Sequence, residues 1–175
     1  MPLFLITGLP GSGKSTACAE LKNRGIEAYD GDEDKLAKWY DNKTGLPIED
    51  ESRVRNPEFL RTHSRDIARS VVEDLARQAK DKTIFLCADP ENEAALRDLF
   101  THVFALVVDE QTLRHRLATR TNNTWGKLPH EIAYSLALRD EWFASYKKFH
   151  YDVIDATQPT RDIVDHILEK TMALR

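Results

Sequence analysis

The sequence predicts a three-layer α/β fold, a five-stranded parallel sheet with helices on both faces. Three observations lead there. Short, continuously apolar runs recur along the chain, as expected of strands buried on both faces. Segments with helical spacing of apolar residues separate them, and that alternation implies parallel strands joined by helical crossovers. The first apolar run also passes straight into a glycine-rich turn that opens a helix.

In chain order, Leu3–Thr7 reads as the first strand. Residues 15–23 read as a helix, with Gly25 just past its end. A second strand, 26–29, ends at Asp30-Gly31-Asp32 and is followed by a predicted helix over 33–40. Residues 41–56 are polar, carry Gly45 and read as a loop. Pro57 suits a first helical position and opens a long predicted helix, with Leu60, Ile67, Val71 and Leu75 on one face and Ala68, Val72 and Ala79 beside them. Residues 83–87 form the third strand, 92–100 a helix and 103–108 a strongly apolar fourth strand. Glu110–Thr119 is helical, whereas 120–128 has no apolar periodicity. Pro129 opens a helix to about Lys148, Val153 and Ile154 mark the fifth strand, and Thr160–Ala173 is the last helix. The two segments without core periodicity, 41–56 and 120–128, are the candidate mobile functional loops.

At 175 residues the chain has the size of one domain, and no repeat or linker divides it. A net charge of −4 argues against a nucleic-acid binder that works by neutralising phosphates. Cys18 and Cys87 fall in apolar segments, as reduced core cysteines do, and lack metal-site spacing. MPLFLITG has neither a basic leader nor a cleavage site, and no apolar run is long enough to span a bilayer. The expectation is a cytoplasmic protein, monomer or homodimer, whose partner is a small molecule, with no nucleic acid and no membrane.

One motif is specific. Gly8-Leu9-Pro10-Gly11-Ser12-Gly13-Lys14-Ser15 matches G-x-x-x-x-G-K-[ST] in full, between a predicted strand and a predicted helix. The glycines let backbone amides ring a phosphate, and the helix start aims its free amides at the same point. Lys14 supplies a charge to the β- and γ-phosphates, and Ser15 a hydroxyl to Mg²⁺. Gly8, Gly11, Ser12, Gly13, Lys14, Ser15 and Thr16 are therefore the candidate nucleotide-binding residues, with MgATP as the expected ligand.

Asp30 and Asp32 lie at the carboxyl end of a predicted parallel strand, where ligands of open α/β sheets bind. One carboxylate can serve the metal's water shell and the other an acceptor hydroxyl. The alternative is that these acids and Asp34 simply begin the next element. Asp89, after the third strand, is a rival for the metal, so Ser15, Asp30 and Asp89 are the candidate metal residues. Arg116 and Arg120 share a helix face before the loop that carries Trp125 and Lys127. A closing loop with these cations can neutralise a migrating phosphoryl group and exclude water. Arg61, Arg65 and Arg69 form a stripe along the long predicted helix, preceded by Arg53 and Arg55. Arg69 reads as a solvated partner of Asp66 and Glu73, whereas Arg61, Arg65 and Trp39 are candidates for the acceptor site. His63 and His115 read as surface residues.

With GLPGSGKST at 8–16, YDGDE at 29–33, LRHRLATR at 113–120 and VIDATQP at 153–159, the chain resembles the small P-loop kinases of the shikimate, gluconate and adenylate kinase group. The resemblance implies a strand order of 2-3-1-4-5 and an arginine-bearing lid, here 116–130, with an acceptor region at 33–65. It implies that Arg116 and Arg120 act on phosphates, that the loop ending at Pro159 holds adenine together with Arg116, and that Asp32 contacts the acceptor. Where shikimate kinases carry a glycine triplet this chain reads Cys87-Ala88-Asp89-Pro90, and Arg139 is followed by Asp140-Glu141-Trp142. The acceptor is left open. The function expected is transfer of the γ-phosphoryl group of MgATP to a metabolite hydroxyl or a nucleoside-type acceptor, with Lys14, Asp32, Arg116 and Arg120 as the catalytic set. The alternative class is a nucleotide hydrolase or a nucleotide-dependent regulatory module.

Overall fold

The computed structural model describes residues 2–48, 56–121 and 124–174. Strand β1 (Leu3–Thr7) is buried along its whole length, so its side chains must be covered on both sides. Leu3 and Leu5 point to one face of the sheet and join a core with Val72, Leu75 and Tyr146. Phe4 and Ile6 point to the other and pack with Ala17, Cys18, Leu21, Val164 and Ile167. Phe4 stacks on Phe85 at 5.3 Å between ring centres, which ties β1 to its neighbour.

Around β1 lie β2 (Glu27–Asp30), β5 (Ile84–Cys87), β6 (His102–Val107) and β7 (Asp152–Asp155), in the order β2-β5-β1-β6-β7. All pairs are parallel. Counting only these five strands, the order is the 2-3-1-4-5 that the resemblance implies. Helices α1 (Lys14–Asn23) and α7 (Thr160–Ala173) cover one face; α3 (Arg69–Gln78) and α6 (Pro129–Lys148) supply core residues to the other. Both cysteines are buried and reduced.

Two predicted helices are absent. The segment predicted helical over 33–40 is a turn followed by β3 (Ala37–Asp41). The long helix predicted from Pro57 is broken into α2 (Pro57–Thr62), β4 (His63–Ile67) and α3. Strands β3 and β4 pair antiparallel as a separate two-stranded sheet, with Trp39 opposite Arg65. The alternation in β3 explains the change: Ala37 and Trp39 are buried and Lys38 between them is exposed. The helix predicted over 92–100 shortens to α4 (Glu93–Leu96) and a 3-10 turn, Arg97–Leu99. The expected arginine stripe therefore does not exist, because Arg61, Arg65 and Arg69 sit on three different elements. Arg69 is exposed and bonds Glu73 at 3.0 Å, as expected, with Asp98 rather than Asp66 as its second partner. His63 is not a plain surface residue: its ring stacks on Phe59 at 3.9 Å. Within the 41–56 segment, 41–48 form a turn that returns to β3 through a Tyr40–Pro47 bridge. Arg53 and Arg55 lie outside the described residues.

No helix among the described residues is long and apolar enough to cross a membrane.

Candidate functional site

The turn between β1 and α1, which packs beside α5 (Glu110–Thr119), is shaped by positions that reject a side chain. Gly8 has φ +149°, and a Cβ there would lie 2.4 Å from the carbonyl oxygen of Leu106. Gly13 has φ +110° and sits where α1 begins, with no side chain capping the helix start. A helix N-terminus left uncapped keeps amide donors for an anion. Ser12 Oγ is buried and has no hydrogen-bond partner among the described residues. Lys14 folds back over its own loop: Nζ donates to the carbonyls of Gly8 at 2.7 Å and Leu9 at 3.2 Å, and pairs with Asp89 at 3.1 Å. The loop thus supplies orphan donors and a cation held at its centre, a donor set that fits a phosphate chain.

A cleft of about 640 Å³ opens over this loop. Gly11, Ser12, Gly13, Lys14, Ser15 and Thr16 line it, and so do Asp30, Asp32 and Asp89. Gly8 takes part through its carbonyl rather than as wall. Asp30, at the end of β2, is 3% exposed. Its Oδ1 accepts from the amides of Asp32 at 2.9 Å and Glu33 at 3.0 Å, which fixes the turn, while Oδ2 is buried without a partner. Asp34 is structural: it accepts from the Asp30 amide and pairs with Lys22. Asp32 has a side chain 45% exposed and meets Arg65 at 3.0 Å. Asp30, Asp89 and Ser15 all line the cleft and carry hard oxygen atoms, the donor type that a hydrated cation such as Mg²⁺ takes. Burial pushes the Asp89 carboxyl above its usual range, and Lys14 pulls it partly back.

Two arginines flank the loop, in unequal roles. Arg116 Nη1 donates to the Ser12 carbonyl at 3.2 Å and Nη2 to that of Ala156 at 2.8 Å. It thereby ties the phosphate loop to the β7–α7 turn, where Gln158 and Thr160 line the cleft. Pro159 does not line it; it is exposed as the residue before α7. Arg120 lines the cleft but donates to the Trp125 carbonyl, and as the residue after α5 it does not continue the helix face of Arg116. Lys127 turns away from the cleft and caps α5, donating to the carbonyls of Ala118 at 2.8 Å and Arg120 at 2.6 Å. Cations near a helix C-terminus satisfy its last carbonyls, and that local demand has claimed this lysine.

The far end of the cleft is aromatic. Trp39 on β3 is 6% exposed and packs with Trp125, 6.2 Å between ring centres, and with Leu60. Trp125 donates its indole N–H to Ser135 Oγ at 3.1 Å. The loop is pinned below it by buried Glu131, which accepts from the Gly126 amide at 2.8 Å. Hairpin and loop therefore face one cleft, as Trp39 and Trp125 show. The Arg65 guanidinium lies 5.8 Å from the Trp39 ring centre. Arg61 is exposed on α2 and does not line the cleft. Sequence reasoning missed Glu91 and Tyr134. The Tyr134 hydroxyl donates to Glu91 at 3.0 Å, and both line the cleft. Glu91 was within reach of the rule that placed Asp89, since it follows Asp89 by two residues after the same strand; Tyr134 gave no signal beyond its place on α6.

Residues 5–131 match the family model described as an AAA domain. Among solved structures, the chain is similar to a shikimate kinase from Acinetobacter baumannii in complex with shikimate, at 19% identity and a TM-score of 0.65, with 99% of this chain and 94% of that one covered. A deoxyadenosine kinase from M. mycoides is similar at 18% identity and a TM-score of 0.55, over 99% of this chain and 100% of that one. A gluconokinase from Sinorhizobium meliloti 1021 is similar at 20% identity and a TM-score of 0.52, over 94% and 87%. No curated protein sequence matches the chain. At these identities the likeness concerns the fold, and it is that of the small P-loop kinases.

Proposed function

The chain belongs to the AAA domain family, and from that premise we propose that it is a phosphotransferase, moving the γ-phosphoryl group of MgATP to a hydroxyl of a small acceptor. One observation carries the reading. The same cleft that the phosphate loop lines is lined also by the Asp32–Arg65 pair and by Trp39, Trp125 and Tyr134. A hydrolase needs room only for water beyond the γ-phosphate, not this additional aromatic lining.

In this reading Lys14 and the loop amides hold the phosphates. Ser15 holds Mg²⁺, with Asp30 and Asp89 as candidates for its water shell, and the metal neutralises charge between the β- and γ-phosphates. Arg116, fixed between Ser12 and Ala156, bridges the phosphates and the adenine side. Arg65 orients Asp32 toward the acceptor. The acceptor oxygen bonds to the γ-phosphorus as the bond from that phosphorus to the β–γ bridging oxygen breaks. The hydroxyl proton passes to Asp32, and ADP leaves. Residues 33–65 then serve as the acceptor region and 116–130 as the lid.

The test is ADP release measured over a panel of small hydroxyl compounds. Lys14→Ala is expected to abolish transfer. Asp32→Asn is expected to lower it by about 10²–10⁴-fold, the range for a lost general base, while nucleotide binding stays intact. Full activity in the Asp32→Asn variant would remove that residue from the mechanism.

A further inference from the structure

We propose that the acceptor is an uncharged hydroxyl compound carrying a flat ring, of the nucleoside class; the inference rests on the phosphotransferase reading of the same cleft. Charge is the first ground. Among the described residues lining the cleft, the carboxylates Asp30, Asp32, Asp89 and Glu91 are matched by the cations Lys14, Arg65, Arg116 and Arg120. The cations already have work within the protein. Lys14 lies on Asp89 and the phosphate loop, and Arg65 lies on Asp32. Arg116 and Arg120 hold backbone carbonyls of Ser12, Ala156 and Trp125. Bound MgATP adds further negative charge to a wall that is neutral in sum. An acceptor bearing a carboxylate or phosphate would enter against that field, where recognition of such groups ordinarily relies on arginines aimed at them.

Shape is the second ground. The cleft lining includes Trp39, Trp125, Tyr134, Leu138 and Trp142; Trp39, Trp125 and Tyr134 pack in one cluster, while Trp142 packs against Leu9, Leu113 and Leu117. Large aromatic faces reward a flat ring by stacking, with little dependence on which ring it is. At the same end Glu91, joined to Tyr134, offers acceptor oxygens to an amino-bearing ring edge. A hydroxyl at Asp32 and a ring among the tryptophans describe one ligand with a polar, saturated half and a planar half.

The experiment uses the full chain with ATP and Mg²⁺ and compares kcat/KM for four groups: nucleosides, uncharged sugars, hydroxy acids and sugar acids, and nucleoside monophosphates. Nucleosides are expected to exceed the other three by about tenfold or more, the discrimination one well-matched contact provides. A preference for any other group overturns the inference and leaves the phosphotransferase reading standing. ADP release no faster with any of the four than without an acceptor overturns both. The wall is tested separately by Trp39→Leu, which is expected to raise KM for the nucleoside about tenfold while KM for ATP holds. An unchanged nucleoside KM overturns the stacking argument. Should that variant lose its cooperative thermal transition, Tyr134→Leu carries the same expectation from α6, where Tyr134 packs with Trp125.

Discussion

Three carboxyls that follow β5, Asp89, Glu91 and Glu93, contribute to the molecule's response to pH. Burial raises Asp89, Glu91 and Glu93 above the usual carboxylate range. Lys14 opposes it at Asp89, backbone and tyrosine hydrogen bonds oppose it at Glu91, and the Tyr151 hydroxyl opposes it at Glu93. A carboxyl with a raised folded value favours the folded state when protonated. That stability is fully present below the unfolded value and is lost as pH rises through the folded one. Without ligand, Glu93→Gln is therefore expected to become increasingly more stable than the parent as pH rises from about 5 to 8, read as the thermal midpoint of each. A difference that stays flat across that window would place the Glu93 carboxyl outside this balance. At the same scale, Lys14 and Asp32 were legible from the sequence because a spaced motif and a strand end locate them. The contacts of Arg120 and Lys127 were not legible, because composition shows a charge and not the backbone carbonyl that takes it. Trp125 was legible only as a tryptophan out of place in a polar loop.

The hairpin of β3 and β4 is the element the sequence concealed. Leu60, Ile67, Val71 and Leu75 have helical spacing, yet Ile67 reaches the core from a strand, fully buried beside Leu5 and Leu86. What the spacing hid was local chemistry: Thr62, His63 and Ser64 are weak helix formers in succession. Their strand also depends on a partner 26 residues away, Trp39 opposite Arg65, and such pairing is not encoded locally. The consequence for function is direct, because the break turns Arg65 from a helix surface onto Asp32. Ile67 is thus the residue that fastens the hairpin to the main core. Ile67→Ala is expected to destabilise the protein by about 2–5 kcal/mol in urea unfolding, the range for emptying such a site. A cost below about 1 kcal/mol would mean that the hairpin is held from its other end, by Trp39 and Leu60.

At the scale of the whole molecule the sequence was most informative. Continuous apolar runs located β1, β5 and β6, because a strand covered on both faces has no polar side to blur its limits, while the edge strands β2 and β7 gave only short apolar pairs. The resemblance carried by the glycine-rich loop then implied the strand order, which the sheet reproduces. The small second sheet stayed outside that logic, since its strands are only partly buried and pair apart from the main sheet. All three tryptophans of the chain, Trp39, Trp125 and Trp142, line the one cleft. The protein's tryptophan emission, excited to the red of tyrosine absorption, therefore originates entirely from the walls of its site. Filling the aromatic end is expected to shift or quench that emission in a saturable way, whereas a ligand confined to the phosphate loop perturbs it less, through Trp142 alone. A plain titration in a fluorimeter, without label or coupled assay, would then reveal which half of the cleft a compound occupies.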